Sequence, residues 1–401
     1  MSSFEGATVL RGRAVIGDAV VPDAVVVVGG GLVVHAGPAT AVLPLLDTTS
    51  RAGLRELPAG AVLLPGLIDL HCHGAVGSDF AGADADGSAR AAEHHLAHGT
   101  TSLLASVVSL RQGATSAALR SLAPLVGGSN IQGVHLEGPY LSVARCGAQD
   151  PRVLRDPDLA ELAEWLEQGQ VATMTLAPER PGALAAAAVL AAAGAVAAVG
   201  HTDADERTTS GFLRAVAAGG RPALVTHLFN GMRPLHHRDP GPVAACLAAA
   251  ARGEAVVELI ADGVHLDDGT VRTVLDLVGA GAVALVTDAM AATGMGDGTY
   301  RLGALDVNVT AGVARLAGGG SIAGGTTRLL DVVRRLVLEV GLPLADVVRA
   351  ASATPAAVLG RADELGSLLP GHRADLLVVG PALEPLAIMR GGAWTTTGGP
   401  P

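Results

Sequence analysis

Short apolar runs recur along the middle of the chain, and Ala/Leu-rich stretches separate them. Eight such runs predict strands: Leu63–Leu70, Thr101–Val108, Gln132–Leu136, Ala172–Leu176, Ala197–Gly200, Ala223–Thr226, Val256–Ile260 and Ala282–Thr287. The segments between them are mostly long enough for helical crossovers, and Asp158–Leu166 and Val271–Leu277 carry helical periodicity. The run Ala185 to Ala198 is interrupted by Gly194 and reads as a barrel helix leading into a strand, not a membrane span. Strand and helix alternating in this way predict an α/β fold of the (β/α)8 TIM-barrel type. The ends of the chain differ. Ala24–Val28 and Leu32–Ala36 are β-rich runs flanking the turn signal Gly29-Gly30-Gly31, and Asp375–Val379 is a similar run near the other terminus. They predict a small β-sandwich domain formed from both termini. The expected division is 1–62 and 363–401 for the sandwich, with the barrel at 63–362.

Composition narrows the chemistry. The chain has 401 residues, about half of them apolar, which is enough for one large barrel and a small appended domain. Lysine is absent. That excludes a Schiff-base lysine, a phosphate-loop lysine and a carbamylated lysine bridging two metals. The formal net charge of −11 and the lack of basic runs argue against nucleic acid or an anionic membrane as partner. Cys72, Cys146 and Cys246 have unrelated spacings and suggest a reducing compartment, not a disulfide framework. Met1 to Gly6 show no secretory signal, so a soluble, cytoplasmic protein is expected.

The strand ends carry the candidate chemistry. The first ends in His71-Cys72-His73, the third in Glu137, the fifth in His201, the sixth in His227 and the eighth in Asp288; Asp262 and His265 follow the seventh. Barrel enzymes place their chemistry on this face. In an extended strand, residues two apart point the same way, so both imidazoles of His71 and His73 can face the mouth. Such a pair alone is weak evidence; four further ligand-type residues at later strand ends strengthen it. Imidazoles and carboxylates without thiolates suit zinc, iron or another first-row divalent ion.

The segment Pro65-Gly66-Leu67-Ile68-Asp69-Leu70-His71-Cys72-His73-Gly74 resembles the first-strand signature of the amidohydrolase superfamily. Several others resemble, within it, the N-acetylglucosamine-6-phosphate deacetylase family. They are His135-Leu136-Glu137-Gly138-Pro139-Tyr140, Val199-Gly200-His201-Thr202, Thr226-His227-Leu228-Phe229-Asn230-Gly231-Met232 and Val286-Thr287-Asp288-Ala289-Met290. Leu176-Ala177-Pro178-Glu179, Ala261-Asp262-Gly263-Val264-His265 and Pro370-Gly371-His372-Arg373-Ala374-Asp375-Leu376 also match, in order, over nearly the whole chain.

The resemblance implies that Glu137, His201 and His227 hold the principal metal. With no lysine available, Glu137 is the natural bridging carboxylate, and His71 and His73 can hold a second ion with Asp288 nearby. One or two ions per subunit are therefore expected. Asp288 is assigned as general acid/base, a role compatible with metal ligation. For an amino-sugar phosphate, Asn230 and Gly231 would offer donors, His265 would contact the sugar, and Arg238 would reach the phosphate across a homodimer interface. One departure stands out: Gln149 occupies a loop position where the family usually has a substrate-contacting histidine. An amide can donate but cannot be cationic. His135 is open to two readings, support for the metal ligands or a buried structural histidine. Cys146 reads as a bystander, and His236 and His237 receive no role. The Gly-rich segments Gly318-Gly319-Gly320 and Ala323-Gly324-Gly325-Thr326-Thr327 lack the Gly-Lys pair of a nucleotide loop and read as turns into a helix Thr327–Val340.

The expected activity is metal-dependent hydrolysis of an acetamide on N-acetylglucosamine 6-phosphate. The alternatives are the galactosamine epimer, a cyclic amide, or a non-catalytic barrel that binds a sugar phosphate.

Overall fold

The computed structural model describes residues 7–318 and 320–395. Met1–Gly6 and Gly319 lie outside the described residues. The chain divides into two compact units. One is drawn from the described residues through Ile68, from His95–Ser102 and from Leu329 onward; the other is Asp69–His94 with Leu103–Arg328.

Eight strands form the barrel: Leu67–Cys72, Thr100–Val108, Ile131–Glu137, Val171–Leu176, Val196–Val199, Ala223–Val225, Ala255–Leu259 and Val283–Leu285. They are hydrogen-bonded in chain order. The eighth strand's continuation closes the ring onto the first: the Asp288 N–H donates to the His71 carbonyl at 2.9 Å, and Cys72 bridges Ala289 in parallel. Most strand positions are buried on both faces, so the strands read as continuous apolar runs instead of alternating ones. Crossover helices between them include Leu159–Glu167 and Glu206–Ala217. Each is started by an aspartate, Asp158 or Asp205, whose side chain accepts backbone N–H groups of the first turn. Such caps contribute about 1 kcal/mol apiece. Among the described residues no helix is long and apolar enough to cross a membrane.

The other unit contains an eight-stranded sheet drawn from both ends of the chain. Thr8–Ile16 pairs with Ala19–Gly29, and Leu376–Val379 joins antiparallel to Val62–Pro65. Alternation puts Val9, Val25 and Val27 in one apolar cluster and Leu10, Val26 and Val28 in another. The barrel and the separate terminal β domain are thus as expected.

Two local readings change. The predicted strand Leu63–Leu70 is two strands, Val62–Pro65 in the terminal sheet and Leu67–Cys72 in the barrel. The change of sheet falls at Gly66, whose N–H donates to the Asp375 carbonyl at 2.9 Å and where any Cβ would overlap the Thr101 side chain. A three-stranded antiparallel sheet also follows the eighth strand, Gly298–Leu302, Leu305–Thr310 and Val313–Leu316, which the strand assignment above did not include. It precedes the Gly-rich segment and the helix, which spans Leu329–Leu338.

Candidate metal centre

The six ligand-type residues reach the mouth of the barrel by two backbone devices. His71 and His73 use the period of an extended strand, and Glu137 is the last residue of its strand. His201, His227 and Asp288 lie just past their strands with φ of 47°, 26° and 50°. This is the left-handed region, which costs a residue with a Cβ roughly 1–2 kcal/mol. The strain turns each side chain out of strand alternation and into the mouth. Gly231, at φ 62°, packs under the His201 ring; a Cβ there would lie 2.8 Å from Nδ1.

Glu137 is central. Its Oε1 lies 2.9 Å from Nε2 of both His201 and His227, and its Oε2 lies 3.2 Å from His73 Nε2. The Nε2 atoms of His201 and His227 are 3.1 Å apart, and those of His71 and His73 are 3.0 Å apart. Asp288 Oδ1 lies 3.2 Å from His73 Nε2 and 3.4 Å from His71 Nε2. Among the described residues His71, Glu137 and His227 form one group compact enough to hold a metal ion, and His71, His73 and Asp288 another; the ligand atoms of Glu137, His201 and His227 lie equally close together.

The hydrogen bonds behind these rings fix what they offer. His73 Nδ1 faces the Ser106 carbonyl at 3.2 Å, and His201 Nδ1 faces the Arg145 carbonyl at 2.9 Å. A carbonyl only accepts, so each Nδ1 carries the proton and each Nε2 presents a lone pair. Lone pairs and carboxylate oxygens therefore converge on one another. Such a set is stable only around positive charge, and a divalent cation satisfies several of these acceptors at once. The residues fit a metal.

The charge balance agrees. Burial alone would raise the Asp288 carboxyl, but His71 and His73 outweigh it and bring it down to about 2. Burial likewise opposes the ionised form of Glu137, yet His71, His201 and His227 hold its carboxyl well below the usual range. Burial disfavours a charged His73, but Asp288 and Glu137 push it up to about 9: the two carboxylates favour positive charge at Nε2, whether a proton or a metal ion supplies it.

The remaining sequence candidates are placed as follows. A cavity of about 300 Å³ is lined by His73, Glu137, Gln149, His201, His227, Asn230, Gly231, His265 and Asp288, among others. Gln149 donates from Nε2 to Glu137 Oε2 at 2.6 Å and accepts the Ser109 N–H at 2.8 Å. His265 Nδ1 pairs with Asp262 at 2.9 Å. The Asn230 amide donates to the carbonyls of His227 and Leu228. Arg238 is exposed on its loop, and the cavity wall does not include it. His135 has both ring nitrogens occupied, by Ser106 Oγ at 3.0 Å and Thr175 Oγ1 at 2.8 Å. Burial, reinforced by the neighbouring His71, drives it well below the ordinary histidine range. Neither ring nitrogen is left for a metal ion.

Two buried carboxylates escaped the sequence reading. Asp69 accepts from the His71 N–H and from the Thr287 hydroxyl, tying the first strand to the eighth; burial raises it to about 6. Glu258, on the seventh strand, faces His71 Nδ1 at 3.1 Å. A lone acid inside an apolar run such as Ala255-Val256-Val257-Glu258-Leu259 is the signal that could have found it, since a buried carboxylate needs a partner.

Comparison with known proteins gives a consistent result. The pattern of the amidohydrolase family matches residues 62–395. The N-acetylglucosamine-6-phosphate deacetylase of Vibrio furnissii is 37% identical over 80% of both chains. An N-acetylgalactosamine-6-phosphate deacetylase of Escherichia coli O157:H7 is 35% identical over 80% of this chain and 85% of its own. The N-acetyl-D-glucosamine-6-phosphate deacetylase of Mycobacterium smegmatis, solved as a mutant in complex with N-acetyl-D-glucosamine-6-phosphate, superposes with a TM-score of 0.88. Its identity is 40%, over 98% of this chain and 99% of its own.

Proposed function

We propose that this chain, which belongs to the amidohydrolase family, hydrolyses the acetamide of N-acetylglucosamine 6-phosphate to glucosamine 6-phosphate and acetate. The observation that carries the reading is Asp288 facing a cluster of metal-ligand side chains in one cavity.

Glu137, His201 and His227 would hold the principal ion, and His71 and His73, with Asp288 nearby, a second; zinc or iron suits these donors. A divalent ion there supplies Lewis acidity toward a carbonyl and acidifies water. Asp288 accepts the proton of the attacking water at its carboxylate and returns it to the leaving nitrogen, which must be protonated to depart. His265, tethered at Nδ1 by Asp262, keeps Nε2 for a sugar hydroxyl. Gln149 spends one amide N–H on Glu137 and retains the other for substrate. Asn230 and Gly231 line the sugar side of the cavity.

The exposed position of Arg238 suits an arginine that serves the phosphate of a second copy, so the active form is read as a homodimer. Among the described residues Cys72, Cys146 and Cys246 form no disulfide, which suits a cytoplasmic enzyme of amino-sugar metabolism.

The test is acetate release by protein of counted metal content from N-acetylglucosamine 6-phosphate, its unphosphorylated sugar and the galactosamine epimer. Release from the first alone, lost on chelation and restored by a divalent ion, is expected. Faster release from the epimer would move the assignment to the activity named for the Escherichia coli relative. No release from any of them with metal bound would sink the deacetylase reading.

A further inference from the structure

Glu258 sits in the barrel interior with no exposed surface. Its Oε2 serves two partners, His71 Nδ1 at 3.1 Å and the His227 N–H at 3.1 Å. Oε2 already accepts the His227 N–H and so faces His71 as an acceptor; the Nδ1 proton of His71 points at Glu258 and the lone pair of Nε2 points away from it. That lone pair faces His73 Nε2 at 3.0 Å and Asp288 Oδ1 at 3.4 Å.

His71 differs from the other histidines of the centre in two ways. It is common to both groups of ligand atoms, that with Glu137 and His227 and that with His73 and Asp288. Its outer nitrogen is also held by a carboxylate, whereas those of His73 and His201 face backbone carbonyls. A carboxylate behind an imidazole makes the ring a stronger donor to a cation and locks its orientation. By also gripping the His227 backbone, Glu258 fixes one ligand's ring and another ligand's main chain with a single oxygen.

We propose that Glu258 is the positioning residue of the second cation site: it sets the tautomer and plane of His71, so that His71, His73 and Asp288 hold an ion beside the one at Glu137, His201 and His227. The proposal rests on the metal-dependent reading above.

The experiment is a competition titration of the full chain with zinc against a chromophoric chelator, for wild type, Glu258→Gln and His73→Asn. Glutamine keeps the shape and an accepting oxygen but removes the charge. Wild type is expected to take two equivalents. Glu258→Gln is expected to keep the first and weaken the second by about 10–100-fold, as is usual when a ligand's outer partner is lost, and to resemble His73→Asn. Equal affinities in wild type and Glu258→Gln, or a single wild-type equivalent that neither variant alters, would overturn the proposal. A second measurement needs no substitution at Glu258. In the zinc-loaded wild type, nitrogen-15 spectra of the imidazoles should show His71 as the Nδ1–H form, and an Nε2–H signal would overturn it. Acetate release by wild type is assayed alongside. Release with unchanged zinc affinity in Glu258→Gln defeats this role alone, whereas no release defeats the deacetylase reading and leaves the titration to be judged by itself.

Discussion

The histidines of the first barrel strand and those after the fifth and sixth arrive at one cluster under different backbone conditions. His71 and His73 sit in or next to unstrained extended chain, aimed by alternation. His201 and His227, like Asp288, occupy left-handed conformations that residues with a Cβ rarely adopt. The first pair is therefore placed by the regular sheet and steadied from behind, by Glu258 and the Ser106 carbonyl. The second set is placed by turns that must be kept strained, and it depends on close neighbours such as Gly231. A barrel mouth can be furnished either way, but only the second way makes the turn itself part of the centre.

Substitutions can break that comparison. The largest effect is expected for Glu137→Ala, which removes the carboxylate shared by both sets; bound metal, counted by elemental analysis, and acetate release should both be lost. Retention of full metal content would show that the two sets hold ions without it. Asp288→Asn should come next, lowering kcat by roughly 10²–10⁴-fold while metal bound at Glu137, His201 and His227 is retained. Unchanged turnover would remove Asp288 from proton transfer. A matched pair tests the turns. Gly231→Ala and Gly77→Ala each place a Cβ in the left-handed region, at φ 62° and 79°, but only the first would press on His201. Each should cost roughly 1–2 kcal/mol of stability in denaturant titrations, and only Gly231→Ala should also weaken metal retention. The smallest effect is expected at Ala311, an exposed turn residue at φ 51° far from any ligand role. Ala311→Asn should raise stability by a few tenths of a kcal/mol, since asparagine tolerates this region better, with acetate release unchanged. A fall in stability would mean that the left-handed backbone there is held by more than local preference.

The same contrast explains what could be read from the chain. The His71–His73 pair was legible because strand alternation is a rule of period two. Glu137 and the residues after strands five, six and eight were legible as a pattern of strand ends, although their left-handed φ angles were not, since nothing local in Gly200-His201-Thr202 or Thr226-His227-Leu228 marks the turn. The division of Leu63–Leu70 at Gly66 was hidden because two sheets share one uninterrupted apolar run. In the added sheet, Leu305–Thr310 alternates buried and exposed positions and carried a readable signal. Glu258 and Asp69 were passed over because single acids in apolar strands look like interruptions until their partners, which are distant in sequence, are brought beside them.

The three-stranded sheet leaves the barrel and returns to it at almost one point: the Met290 N–H donates to the Gly325 carbonyl at 2.9 Å, and the Gly325 N–H donates to the Asp288 carbonyl at 2.6 Å. Topologically the intervening chain is a loop with a stapled base, tied once more where the Gly303 N–H donates to the Asp79 carboxylate. It carries none of the proposed metal ligands, yet Leu302, Ser321 and Ile322 from it line the cavity. Variation in what the mouth admits can therefore accumulate in this excursion while the ligands beneath it stay in place, which makes it a natural graft position for exchanging substrate preference between barrels of this kind.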